Sequence, residues 1–200
     1  IRIIKNFVPD ECFEFKPRVE VLDKYDLRPY EYIITVSRIS YDKGLDQVIK
    51  ALAYLHKQGV KTTYTIVGPD EGALSYYLEL ANRMGVKDHI IYLGAIGRGK
   101  REQLLTLLRY SRVFVLPSSF EGQSVAALEA MSQGTPVIET NVVNFMDEVV
   151  EHSVNGFIFR YGDIPSLANY LRMLFEDKEL RDKLGRNALK HTYEHHRLGK

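Results

Sequence analysis

Two glutamates eight residues apart, Glu121 and Glu129, are the side chains whose setting in this sequence most suggests a chemical role. They lie in the stretch SFEGQSVAALEAMSQGTPVI, which otherwise has the composition of a buried helix. Glu129 is flanked by alanine, leucine and methionine, and a carboxylate in such surroundings needs a hydrogen-bonding partner. The same spacing also fits an ordinary amphipathic helix with Glu129 on its solvent side, so the residues alone leave both interpretations open.

Two cations in the segment SRISYDKG, Arg38 and Lys43, form a second candidate site. They follow a β-branched run and precede a predicted helix, where a guanidinium, an ammonium and free backbone amides could bind one anion. A solvated loop with two surface cations fits the same pattern. A further basic segment, YLGAIGRGKRE (92–102), matches neither a Walker A loop nor a dinucleotide-binding G-x-G-x-x-G motif, and it also fits a flexible loop.

The elements that position these residues alternate between the hydrophobic periods of strands and of helices. Six runs are predicted as strands: YIITVS (32–37), TTYTIVG (62–68), HIIYLG (89–94), VFVLPS (113–118), TPVIET (135–140) and NGFIFR (155–160). Helices are predicted between them, together with a short one over FMDEVVEH and a helical tail from Ile164 to His195 with a break at Gly185. This alternation predicts an α/β fold, a Rossmann-like doubly wound parallel sheet with helices on both faces. Ligands of such sheets bind outside the carboxyl ends of the strands, where both candidate segments lie.

The two ends of the chain differ from this repeating core. Residues 1–30 contain three prolines and one helical piece, RVEVLDKYDL, and are interpreted as an interdomain linker. The sheet-forming domain is predicted over 31–178 and a C-terminal helical tail over 179–200. The sequence starts with Ile1 inside an apolar run, which suggests a part of a longer protein. The HTYEHH run near the end is interpreted as solvated, and we expect no metal site.

Composition excludes several functional classes. The 200 residues are 45% hydrophobic and 26% charged, with a net charge of +1, as in a soluble globular domain. Near-neutral charge gives no reason to expect nucleic-acid binding. The single cysteine, Cys12, rules out a disulfide within the chain and fits a reducing, cytoplasmic location. No apolar run reaches the roughly 18–20 residues of a membrane-spanning helix.

Taken together, four segments resemble the C-terminal domain of family 4 retaining glycosyltransferases, which have the two-domain GT-B architecture. These are SRISYDKG after the first strand, YLGAIG after the third, EGQSVAALEAMSQGTPVI after the fourth, and VVEHSVNGFIF. The E-x7-E element of that family matches Glu121 and Glu129, and the arginine and lysine of its GRLxxxKG segment match Arg38 and Lys43. The resemblance covers roughly residues 1–175, and it implies that this sequence is one half of the GT-B architecture.

The resemblance implies a role for each matched residue. Arg38 and Lys43 would contact the diphosphate of a nucleotide-sugar donor, and Glu129 would accept hydrogen bonds from its ribose. Glu121 would contact the transferred sugar. The remaining contacts would come from the sugar pocket beside Glu121, from the first amides of the following helix and from the backbone beside the base: Gly122, Gln123, Ser124, Val125 and Ile96. In this family Arg38, Lys43 and Glu121 would be the catalytic residues.

Two segments depart from the family pattern. Gln123-Ser124 replaces a common Phe-Gly, and Val143-Asn144 replaces a common Gly-Gly, with one extra residue before Glu148. Both differences concern the shape of the sugar pocket.

The resemblance also implies partners. The donor would be a UDP- or GDP-hexose, used without cofactor, and the acceptor a carbohydrate or lipid-linked glycan bound mainly by an N-terminal domain outside this sequence. The isolated 200 residues would therefore be inactive, and the full-length protein is compatible with peripheral membrane association. Two alternatives stay open: a nucleotide-sugar-binding module without transferase activity, and a UDP-sugar isomerase of the same fold.

Overall fold

A computed structural model describes residues 6–142 and 149–198, with only the backbone of Arg98. The Val143-Asn144 departure and the first half of the helix predicted over FMDEVVEH, residues 145–148, lie outside the described residues, and the second half, residues 149–152, is not helical. The strands are β1 (Tyr32–Val36), β2 (Thr63–Val67), β3 (Ile90–Tyr92), β4 (Val113–Leu116), β5 (Val137–Thr140) and β6 (Gly156–Phe159). The helices are α1 (Glu11–Glu14), α2 (Glu20–Asp23), α3 (Leu45–Lys57), α4 (Leu74–Arg83), α5 (Arg101–Tyr110), α6 (Val125–Ser132), α7 (Ile164–Glu176) and α8 (Lys178–His195).

The six strands form one parallel sheet in the order β3-β2-β1-β4-β5-β6. The strand order reverses between β1 and β4, and this reversal opens the crevice in which sheets of this type bind ligands. Both faces are covered by helices, as the continuous apolar runs of the strands require. The predicted fold class, a doubly wound parallel sheet of six strands, is confirmed.

Two hydrophobic cores lie on opposite faces of the sheet. On one face, Ile33 and Val115 pack with apolar residues of α3, α4 and α7. On the other face, Ile34 and Phe114 pack with apolar residues of α5 and α6. Alternate residues of each strand face opposite cores because successive side chains of a strand point to opposite faces.

The N-terminal segment contributes to the second core. The helical piece predicted over RVEVLDKYDL is shorter in the structure, where only Glu20–Asp23 is helical. Four apolar residues of this segment are buried against the α6 face of the sheet: Val8, Cys12, Leu22 and Leu27. The interdomain-linker interpretation of residues 1–30 stays a prediction, as does the division of the chain at residues 31 and 179.

The predicted helix break at Gly185 is wrong. Helix α8 continues through Gly185, and the tail is instead divided at Asp177, whose side chain caps α8 by accepting a hydrogen bond from the Leu180 amide (2.9 Å). Gly185 is needed because its backbone lies against the carbonyl of Gly134, where a Cβ atom would approach the oxygen to 2.2 Å. A glycine inside a helical pattern can thus mark a close contact rather than an end.

The HTYEHH run is not uniformly solvated, which corrects the sequence interpretation. Thr192 and His196 are buried, and His196 Nδ1 lies 3.0 Å from the carbonyl oxygen of Asn6. The end of α8 therefore packs against the start of the described chain. Within residues 6–142 and 149–198, no helix is both long and apolar enough to span a bilayer.

Candidate functional site

The two loops that flank the strand reversal are joined to each other. The loop after β1 and the loop after β4 meet where the Ser119 amide donates to the Asp42 carbonyl (2.8 Å) and Gln47 Nε2 donates to the Pro117 carbonyl (2.7 Å). Gly44 allows this approach because it has a positive φ of 63° and a Cβ there would come within 2.2 Å of the Pro117 oxygen. The side chains on both loops are thereby held at one edge of the sheet.

Lys43 and Glu121 form an ion pair across these two loops. Lys43 Nζ donates to Glu121 Oε2 at 2.7 Å, and the Lys43 side chain is only 8% exposed. The carboxylate of Asp42 is a further neighbour, 3.7 Å from Lys43 Nζ. Local sequence patterns could not predict this pair, because the two residues are 78 positions apart. The pair places a buried ammonium beside a partly accessible carboxylate.

Arg38 has a different partner. Its guanidinium donates to Glu71 Oε2 at 2.6 Å, and both side chains are exposed, by 54% and 41%. Glu71 lies in the loop after β2, and sequence reasoning gave it no role. Arg38 and Lys43 thus leave the same loop but are each paired with a separate carboxylate. Surface pairs of this kind contribute little to stability, so Arg38 can exchange partners at small cost.

Helix α6 begins at the carboxyl edge of the sheet, as predicted. Ser124 is its N-cap, and Ser124 Oγ accepts a hydrogen bond from the Ala127 amide (3.2 Å). The Val125 and Ala126 amides belong to the first turn, where no intrahelical carbonyl is available. The positive end of the α6 dipole therefore lies between the positions of Glu121 and Glu129 in the chain.

Glu129 lies inside the protein, which settles the alternative that placed it on the solvent side of α6. It is 7% exposed, and its Oε1 accepts a 2.6 Å hydrogen bond from the guanidinium of Arg101. Burial raises the pKa of the Glu129 carboxyl above its ordinary value, and the charge of Arg101 opposes that effect. Sequence reasoning saw Arg101 only as part of a basic loop, because its partner is 28 residues away.

The remaining predicted contacts surround this edge. Gln123 is engaged by the chain's own N-terminal segment: its Oε1 accepts from the Asn6 backbone amide, and its carbonyl accepts from Asn6 Nδ2 at 2.8 Å. Gly122 is exposed, while Ile96 is half-buried in the loop after β3 and packs against the second core. Val125 is 43% exposed, next to the capped helix start.

Glu139 is a buried carboxyl that sequence reasoning missed. It is 2% exposed in β5, and its Oε1 has no hydrogen-bond partner among the residues that the structure describes. Burial raises the pKa of Glu139 to about 8. One signal was available: a charged residue within VIET, in a parallel strand covered on both faces, departs from the apolar composition such strands require. By strand alternation Glu139 faces the same side of the sheet as Val137, which packs with α6.

The described residues contain no candidate for a metal centre. In the part of the chain that the structure describes, no three His, Cys, Asp or Glu side chains lie close enough together to hold a metal ion. The charged groups at the carboxyl edge are instead matched as acid–base pairs across loops. Such an arrangement can bind a ligand that carries both anionic groups and hydroxyls.

The fold is that of a Rossmann-like domain, and comparison with known proteins identifies its family. The family model described as "Glycosyl transferases group 1" matches residues 23–191. The chain therefore belongs to the group 1 glycosyltransferases.

Relatives in sequence agree with this assignment. An uncharacterised glycosyltransferase of Methanocaldococcus jannaschii is 33% identical over 192 residues, which are 94% of this chain and 46% of that protein. The Escherichia coli UDP-Gal:alpha-D-GlcNAc-diphosphoundecaprenol alpha-1,3-galactosyltransferase is 34% identical over 187 residues, 90% of this chain and 46% of that enzyme. The chain spans about half the length of these relatives.

Solved structures share the fold. The C-terminal domain of a glycosyl transferase group 1 family protein from Francisella tularensis superposes with a TM-score of 0.80 at 24% identity, over 96% of this chain and 99% of that one. Anabaena HepE, solved in complex with UDP, gives a TM-score of 0.77 at 25% identity, over 89% of this chain and 48% of that protein. These neighbours have GT-B-type Rossmann-like domains, in agreement with the architecture predicted from the sequence.

Proposed function

We propose that this chain is the donor-binding, C-terminal domain of a family 4 retaining glycosyltransferase that transfers a hexose from a nucleoside-diphosphate sugar to an acceptor hydroxyl. The observation that carries the proposal is the arrangement at one sheet edge: Lys43 paired with Glu121, and a buried Glu129 one turn inside a helix capped by Ser124. The cations and the free helix amides can bind a diphosphate, and the buried carboxylate can accept hydrogen bonds from a ribose, so together they match a nucleotide sugar.

In this proposal the diphosphate binds at the start of α6. Arg38 and Lys43 contact its oxygens, together with the amides of Ser124 and Val125. Lys43 is paired with Glu121 in the structure, so an arriving diphosphate competes for the ammonium and releases Glu121 toward the sugar. Negative charge grows on the diphosphate as the bond to the anomeric carbon breaks, and cations already positioned there stabilise that charge.

The sugar and the nucleoside occupy the two sides of this site. Glu121 accepts hydrogen bonds from hexose hydroxyls, with Gly122 and Gln123 forming the adjoining wall. Glu129 accepts from the ribose hydroxyls, and the backbone at Ile96 borders the base. The acceptor oxygen attacks the anomeric carbon on the face from which the diphosphate leaves, and a diphosphate oxygen takes the acceptor's proton. No covalent glycosyl–enzyme intermediate on Glu121 is part of this scheme.

The donor is proposed to be a UDP- or GDP-sugar used without a cofactor or metal. The acceptor is proposed to be a carbohydrate or a lipid-linked glycan held by an N-terminal domain. Because the chain spans about half the length of its relatives, we propose that the 200 residues alone bind donor without turning it over. A cytoplasmic location, with peripheral membrane association of a full-length protein, stays an expectation from the single cysteine and the resemblance.

Calorimetric titration of the 200-residue chain with UDP, GDP, ADP and their glucose derivatives tests this proposal. We expect one nucleoside diphosphate to bind, and the substitution Glu129→Gln to weaken it by about tenfold through loss of a charged acceptor. Glu179→Gln, which removes one exposed carboxylate on α8, should leave binding unchanged. Absence of binding to all nucleotides would refute the proposal, and sugar transfer by this chain alone would refute the claim of inactivity.

A further inference from the structure

Arg101, the first residue of α5, connects three parts of the protein. Its guanidinium donates to Glu129 Oε1 on α6 at 2.6 Å and to Cys12 Sγ on α1 at 3.3 Å. Its Nε lies 3.4 Å from Glu11 Oε1. The Arg101 side chain is 32% exposed and the Glu129 side chain 10%. The guanidinium is therefore held by α1 and α6 rather than free to swing as an ordinary loop cation would.

The contact with Arg101 engages one oxygen of the Glu129 carboxylate. A carboxylate offers about four lone-pair positions, and Arg101 occupies a position on one oxygen. The second oxygen and the remaining positions can still accept from two neighbouring hydroxyls. A planar guanidinium also fixes the rotation of the carboxylate, which a lysine would do less well.

We propose that Arg101 is a positioning residue for the nucleoside: it keeps Glu129 ionised and in one orientation, so that the carboxylate can accept hydrogen bonds from the vicinal hydroxyls of a ribose. This inference rests on the proposed function and extends it to a residue in the basic segment after β3. Arg101 acts through Glu129 and needs no contact of its own with the ligand.

The electrostatics of the site support this role. Burial raises the pKa of Glu129, and a protonated carboxyl would present a donor where the ribose needs an acceptor. Among the side chains that the structure describes, the titratable and charged groups at the carboxyl are Arg101 from α5 and, next to Arg101, Glu11 and Cys12 from α1. The positive charge of Arg101 lowers the pKa of Glu129, so its removal raises that pKa further.

Arg101 is also next to open space. A cavity of about 900 Å³ lies between the segment from Glu11 to Val21 and the start of α5, and Arg101 forms part of its wall. This volume is within the range of small-molecule sites. The residue that contacts Glu129 is therefore also accessible from a cavity large enough for a small molecule.

The test compares Arg101→Gln and Arg101→Lys with the parent chain by calorimetry between pH 5.5 and pH 8, with the best-bound of UDP, GDP and ADP and with inorganic pyrophosphate. For Arg101→Gln we expect about tenfold weaker nucleotide binding at pH 6, the value for loss of one charge-supported contact, with recovery as the pH rises. Arg101→Lys should restore most of the affinity and the parent pH profile. Pyrophosphate, which has no ribose, should bind all three proteins equally.

Two controls separate positioning from folding. Arg172→Gln removes the same side chain from an exposed pair on α7, Arg172 with Glu176, and should bind like the parent. In a Glu129→Gln background, Arg101→Gln should have no further effect on nucleotide binding. An Arg101→Gln effect that persists in that background, or extends to pyrophosphate, would assign Arg101 a purely structural role and overturn the inference.

The remaining outcomes are also decisive. Parent-like affinity and pH profile in Arg101→Gln would overturn the inference while leaving the proposed function intact. A parent chain that binds no nucleoside diphosphate would overturn the proposed function and this inference with it. If Arg101→Gln does not fold, Arg101→Lys and the 13C titration of the Glu129 carboxyl in the parent chain decide: a Glu129 that is not ionised at pH 7 refutes the role.

Discussion

Glu139 should make the protein less stable as the pH rises through the neutral range. Burial raises its pKa to about 8, against an ordinary value of 4.5. The folded state therefore holds this proton more tightly than the unfolded state does. The stabilising contribution is fully present below about pH 4.5 and is lost progressively as the pH approaches 8, because stability falls with pH wherever the folded state binds more protons.

The size of the effect follows from the two pKa values. At about 1.4 kcal/mol for each unit, Glu139 should lower the free energy of unfolding by about 3 kcal/mol between pH 4.5 and pH 7. The substitution Glu139→Gln keeps the shape of the side chain and removes the titration. Its free energy of unfolding should therefore fall less than that of the parent over this range, by about the same 3 kcal/mol.

Urea-induced unfolding, followed by circular dichroism at several pH values from 4.5 to 7, measures this difference. Comparing the two proteins cancels the contributions of the other titrating groups. Glu179→Gln, an exposed glutamate of α8, controls for the loss of one carboxyl and should follow the parent curve. Parallel curves for Glu139→Gln and the parent would refute the reasoning, because they would show that the Glu139 carboxyl titrates alike in the folded and unfolded states.

Three further predictions concern packing, capping and thiol accessibility. Gly185→Ala should destabilise the fold by about 1–3 kcal/mol in thermal or urea melts, because the new Cβ meets the Gly134 carbonyl. Gly97→Ala, which has open space around the new atom, is the control. An unchanged melt for Gly185→Ala would contradict the close approach. Ser124→Ala should cost about 1 kcal/mol in the same melts through loss of the α6 cap, and Ser124→Thr should recover most of it. Cys12 is buried and burial raises the pKa of its thiol, so a thiol reagent at pH 8 should label it slowly in the native state and rapidly in urea. Equal labelling rates in both states would be evidence against that burial.

The fold, and the edge of the sheet where the candidate residues lie, could largely be predicted from the sequence. Strand and helix periods are local properties, and they predicted six parallel strands with candidate residues in the loops at their carboxyl ends. The cap at Ser124 and the close of α6 before Gly134, which has a positive φ of 70°, follow from the preferences of single residues for helix ends. The N-terminal segment was less predictable, because its burial depends on Val8 and Cys12 contacting helices far along the chain.

Only the tertiary structure decided which charged groups meet. Lys43 pairs with Glu121, Arg38 with Glu71, and Arg101 with Glu129, across 78, 33 and 28 residues. These pairings depend on how the fold brings separate loops and helices together, and the hydrophobic periodicity of the sequence does not predict them. Gly185 is a further case that local sequence could not predict. Its sequence context indicates a helix break, but its close contact with Gly134, 51 residues earlier in the chain, explains why a glycine is needed. Local patterns determined the elements and the edge of the sheet where the candidate site residues lie, and long-range packing determined which of their charged groups are paired.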